Sequence, residues 1–177
     1  RKKLKQEKLI FSRSIILLGY IKRGSCYLKN VRKNNKILVS FIKDLKNNFR
    51  NLEKKLKESS WFTDDWEIYN RGVYLQLYKV NWYNHNQGGI HFETYIEKPQ
   101  IKQKTFPICM HAENDCPSQF EFMQKFLELE KNRIESWKGY QTVGTGYTIC
   151  QRNLPLNFKN LEQRIFEELN RLRQLEP

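Results

Sequence analysis

Apolar residues recur every three or four positions between 37 and 56: Ile37, Phe41, Leu45, Phe49, Leu52 and Leu56. That is the spacing of one helical face. It predicts a helix of about five turns whose other faces carry Lys43, Lys46, Arg50, Lys54 and Lys57. Leu4, Phe11, Ile15 and Leu18 have a similar spacing and predict an earlier helix over 1–22. Between the two, "KRGSCYLKNVRKNN" (22–35) breaks the pattern and reads as a connector with a turn at Gly24-Ser25.

Beyond residue 60 the period changes. "SSWFTDDWEIYNRG" (59–72) reads as an aromatic-rich junction. In "GVYLQLYKVNWY", Val73, Leu75 and Leu77 alternate against Tyr74, Gln76, Tyr78, Val80 and Trp82, as a strand requires. "NHNQGG" (84–89) is a turn. In the next strand Ile90, Phe92, Thr94 and Ile96 alternate against His91, Glu93, Tyr95 and Glu97. So short a link predicts antiparallel pairing. "KTFPICMH" predicts a third strand. Pro117, Ser118 and Glu121 then mark a helix start with the spacing of a capping box. Met123, Phe126, Leu127, Ile134 and Trp137 form that helix's apolar stripe. "KGYQTVGTGYTICQR" predicts a glycine-rich turn and a fourth strand. Leu161, Ile165, Leu169, Leu172 and Leu175 predict a final helix.

The element order is therefore α-α-β-β-β-α-β-α. It predicts an α+β fold with a mostly antiparallel sheet of about four strands and helices packed on one face. Strands that are apolar on one side argue against a parallel sheet. A basic helical segment over 1–60 precedes an α+β domain over 61–177.

Charge sharpens that division. The chain of 177 residues has a formal net charge of +13. Residues 1–60 hold 18 Lys/Arg and 4 Asp/Glu, and residues 61–177 hold 14 and 15. The whole excess lies in the first third, and such a field attracts polyanions. No apolar run approaches the roughly 20 residues that a bilayer needs. The expected setting is cytoplasmic, with no membrane partner.

One stretch, "FPICMHAENDCP" (106–117), gathers chemistry-bearing side chains. Alternation puts Phe106, Ile108 and Met110 towards the core, with Cys109 and His111 on the opposite face and Cys116 in the turn beyond. Cys109, His111 and Cys116 are the metal-ligand candidates, but their spacing is not that of a zinc pattern, which sets ligands in two pairs. The preferred reading is buried cysteines acting as small hydrophobes, with a polar turn starting a helix. His91 and Glu93 share a strand face and, with Asp65, are the catalytic candidates. The competing reading of that face is an ordinary polar exterior, and it is preferred. No nucleophile-elbow, zincin, Walker or dinucleotide pattern occurs, and no cofactor is implied.

These features lead to a non-enzymatic domain that binds DNA or RNA through phosphate charge, with Lys43, Lys46, Arg50, Lys54 and Lys57 as the contacts. Tyr74, Tyr78 and Trp82 are the candidates for base stacking, against a role in the core or in cross-strand pairs. Two other classes stay open. One is a protein-interaction or dimerisation module using the first helix and the leucine-rich last helix. The other is a metal-dependent hydrolase or nuclease.

Overall fold

The computed structural model describes residues 25–82, 89–114 and 116–175. The helix expected over 1–22 and most of the turn at 84–89 lie outside them. Helix α1 spans Ser25–Lys57 without a break, so the connector expected at 22–35 is corrected from Ser25 onward to continuous helix. After Gly24 the next proline is Pro99, so nothing in the connector's sequence forces a helix to stop.

From Ile42 onward the chain forms one compact unit. Its centre is a six-stranded antiparallel sheet: β1 (Trp66–Asn70), β2 (Tyr74–Lys79), β3 (Ile90–Tyr95), β4 (Thr105–Ala112), β5 (Gln141–Thr145) and β6 (Thr148–Pro155). The spatial order is β1-β2-β3-β4-β6-β5. Helix α2 (Lys98–Gln103) links β3 to β4, α3 (Gln119–Ser136) links β4 to β5, and α4 (Leu161–Leu172) follows β6. A 3-10 turn closes the described chain at Arg173–Leu175. The α+β class and the antiparallel sheet agree with the sequence reading. Four strands become six, because the aromatic junction contains β1 and the Gly-rich segment is a hairpin rather than a turn before one strand.

Cross-strand register defines two faces. Leu77 pairs with Phe92, Phe92 with Met110, and Phe106 with Leu154, so these side chains share a face. All but Leu154 are fully buried, and Leu154 nearly so. Side-chain bonds from this face reach three helices. Asn70 Nδ2 donates to the Phe49 carbonyl oxygen of α1. Thr142 Oγ1 donates to Glu135 of α3, and Arg152 pairs with Glu168 of α4. Of the expected stripe of α1, Leu45, Phe49, Leu52 and Leu56 are fully buried and Phe41 is half-buried. Burying such side chains contributes roughly 1.5–3 kcal/mol each. The α4 stripe of Leu161, Ile165, Leu169 and Leu172 is buried as well. It belongs to the core, so it is no free surface for a partner.

Two local expectations are corrected. Ser118 precedes α3 in the left-handed region, at φ 53°, and its side chain makes no capping bond. A capping box needs an extended N-cap residue, which this backbone excludes. Trp82 does not share a face with Tyr74, because β2 ends at Lys79 and a turn redirects the chain. Its ring packs edge-on against Trp66 and Phe92, at 5.2 and 5.4 Å between centroids.

Candidate functional site

The exposed side of α1 presents one array of charge. Lys43, Lys46, Arg50, Lys54 and Lys57 are all exposed. At 3.6 residues per turn their positions fall within roughly 80° of arc, centred about 130° from the buried stripe. The same periodicity that buries Phe49 therefore aligns the cations. Two of the five have carboxylate neighbours one turn away: Lys57 lies 2.7 Å from Glu53 and Lys54 lies 3.6 Å from Glu58. Such exposed pairs contribute about 0.3–0.5 kcal/mol, so either lysine can exchange its partner for another anion. Arg50, Lys54 and Lys57 line a shallow open depression together with Glu53 and Glu58.

The second array lies on the sheet, on the face opposite Phe92. Gln76 pairs with Glu93, Glu93 with Cys109, and His91 with His111. Three neighbouring strands thereby set Gln76, His91, Glu93, Cys109 and His111 on one face. Alternation in β3 and β4 predicted the two halves of this set, and the register joins them. The expectation of a solvated polar exterior is corrected. His91 is fully buried, and Glu93 and His111 are 5% and 4% exposed.

The distances are short enough for the groups to act on one another. His91 Nε2 lies 3.2 Å from Glu93 Oε2, and His111 Nδ1 lies 3.6 Å from Glu93 Oε1. Gln76 Nε2 stands 2.9 Å from His91 Nε2. His91 Nε2 therefore faces an amide donor and a carboxylate acceptor. A ring nitrogen carries either a proton or a lone pair, so it satisfies one of the two. His111 Nδ1 is buried without a hydrogen-bond partner among the described residues. The Tyr147 ring stands edge-on to the His111 ring, 4.9 Å between centroids.

Burial pushes the His111 imidazole down to about 4, with the His91 charge adding to that effect and the Glu93 charge opposing it. Burial acts to raise Glu93, yet its carboxyl is held below the ordinary range. The His91 hydrogen bond, the His111 charge and a hydrogen bond from Tyr74 outweigh desolvation. At neutral pH the set thus combines a carboxylate with a neutral imidazole at His111.

The remaining sequence candidates are dispersed. Asp65 is not in the cluster: Thr63 and Lys79 hold it, and their bonds lower its carboxyl. Cys109, Cys116 and Cys150 are buried, as the small-hydrophobe reading expects. Cys109 Sγ donates to the Glu93 carbonyl oxygen at 3.5 Å. Tyr78 and Trp82 are buried. Tyr78 donates to Glu67 at 3.1 Å, and Tyr74 is half-buried with its hydroxyl on Glu93. Sequence reasoning missed Gln76 as a member of the cluster. Its signal was a lone amide on the polar side of an otherwise apolar and aromatic strand.

No family model, no curated protein and no solved structure matches this chain. No helix among the described residues is long and apolar enough to cross a membrane.

Proposed function

We propose that this protein binds nucleic acid through the cationic stripe of α1, reading phosphate charge rather than base sequence. The observation that carries this reading is the alignment of Lys43, Lys46, Arg50, Lys54 and Lys57 on one exposed helical face. A phosphate backbone is a regular line of negative charge. A line of exposed cations along a rigid helix suits it without any base-specific contact. The +14 balance of residues 1–60 adds long-range attraction. Tyr78 and Trp82 take no part in this reading, because stacking needs an open aromatic face.

Fluorescence polarisation with a short labelled DNA duplex and a single-stranded RNA tests the proposal. Affinity should fall with salt, with a log–log slope of about −4.5 for five duplex phosphate contacts and about −2.7 for three. The triple variant Lys43→Glu/Lys46→Glu/Arg50→Glu should lose most of the binding while keeping its circular dichroism. Absence of binding at low salt, or a triple variant that binds like the parent, would overturn it.

A further inference from the structure

We propose that His91 Nε2, the Glu93 carboxylate and His111 Nδ1 form a binding site for a divalent transition-metal ion of the zinc class. One donor atom from each of the three residues lies within 4.8 Å of the other two, and every contributing residue is buried. A tetrahedral ion with bonds of about 2.0–2.1 Å holds its ligand atoms roughly 3.3 Å apart. His91 Nε2 lies 3.2 Å from Glu93 Oε2 and His111 Nδ1 lies 3.6 Å from Glu93 Oε1, so each imidazole stands about one such edge from an oxygen of the same carboxylate.

His111 Nδ1 supplies an independent argument. It is a buried ring nitrogen aimed at Glu93 Oε1, yet beyond hydrogen-bond distance of any partner among the described residues. Leaving such an atom without a partner costs about 1–3 kcal/mol. A metal ion accepts its lone pair. The same ion takes electron pairs from His91 Nε2 and from Glu93, so three atoms that compete for protons become three ligands of one cation. Gln76 adds to the fit. Turned end for end, its amide presents an oxygen rather than a nitrogen to the site, 2.9 Å from His91 Nε2.

Donor chemistry selects the class of ion. Two imidazoles and one carboxylate suit zinc and its neighbours, whereas magnesium and calcium prefer shells of oxygen. Tyr74, hydrogen-bonded to Glu93, orients the carboxylate as an outer partner. Glu113 stands at the edge of the cluster. Its Oε1 lies 3.9 Å from His91 Nε2, and its side chain is partly exposed.

The test uses the whole chain, stripped with a chelator and titrated with zinc or cobalt(II). The expected result is one ion per chain, a raised melting temperature in excess metal, and the intense visible bands of four-coordinate cobalt. His111→Asn and Glu93→Gln should each weaken binding by about 100-fold or more, beyond the 10–100-fold typical of outer-shell changes. Should either variant fail to fold, the wild-type cobalt spectrum still decides, because nitrogen and oxygen ligation gives no thiolate charge-transfer band. Such a band would place the ion on cysteines and overturn the proposal. So would a wild-type chain that takes up neither metal, or folded variants that bind as well as the parent.

Discussion

Arg152 Nη1 lies 2.6 Å from Glu168 Oε1, an ion pair that joins α4 to β6. Arg171 Nη1 approaches the other carboxylate oxygen at 3.1 Å. Glu168 is 7% exposed, so these contacts replace the water its carboxylate lacks. Removing it leaves Arg152 beside the core without its counter-charge. Glu168→Ala should therefore cost about 2–4 kcal/mol, somewhat below the range for a fully buried pair, because the Arg152 side chain keeps some solvent. Arg152→Met/Glu168→Leu should cost clearly less than the single change. Urea unfolding of the three proteins measures both differences. Equal stability of Glu168→Ala and the parent would show that the pair does not hold the helix.

Gly72 and Lys46 meet where the loop before β2 passes under α1. Gly72 has φ +80°, and a Cβ added there would stand 2.8 Å from Lys46 Cγ. Two costs are therefore stacked at one position, a left-handed backbone and a close side chain. Gly72→Ala should destabilise the protein by about 1–3 kcal/mol. Adding Lys46→Ala should recover the steric share and leave the backbone share. A thermal-melt comparison of the single and double variants separates the two. Full recovery in the double variant would show that the backbone angle costs nothing.

Cys150 gives a pH dependence with a definite sign. Burial pushes its thiol from an ordinary value of 9.0 up to about 12 in the folded chain, partly offset by a hydrogen bond from the Met110 backbone. The folded state therefore holds its proton where the unfolded state has lost it. The stabilisation is complete below pH 9 and declines as pH rises towards 12. Cys150→Ala should flatten the decline between pH 9 and 10.5 in denaturant melts. In the native parent, Cys150 should resist alkylation, since only the thiolate attacks. Peptide mapping after brief labelling checks this, and rapid modification of Cys150 in folded protein would contradict it.

The parts legible in sequence were those whose signal is local. The stripe of Leu45, Phe49, Leu52 and Leu56 and the alternation of Phe106, Ile108 and Met110 each repeat within a few residues. Burial confirms the first, and the pairing of Met110 with Phe92 and of Phe106 with Leu154 confirms the second. Strand β1 was hidden because Trp66, Ile68 and Tyr69 do not alternate cleanly with polar residues. Helix α2 was hidden by its length, one and a half turns begun by Lys98 and Pro99. Ser118 carried the right residue for a cap and the wrong backbone for it, a conflict that no capping pattern displays.

By itself the sequence determined which residues share a side: His91 with Glu93, Cys109 with His111, and the lysines of α1 on one helical arc. Only the tertiary structure decided that β3 and β4 pair in the register that sets His91 beside His111, and that His91, Glu93 and His111 are buried there. The physical reason is range. Backbone periodicity orients neighbours along one chain segment, whereas register and cover are settled by contacts between segments far apart in sequence.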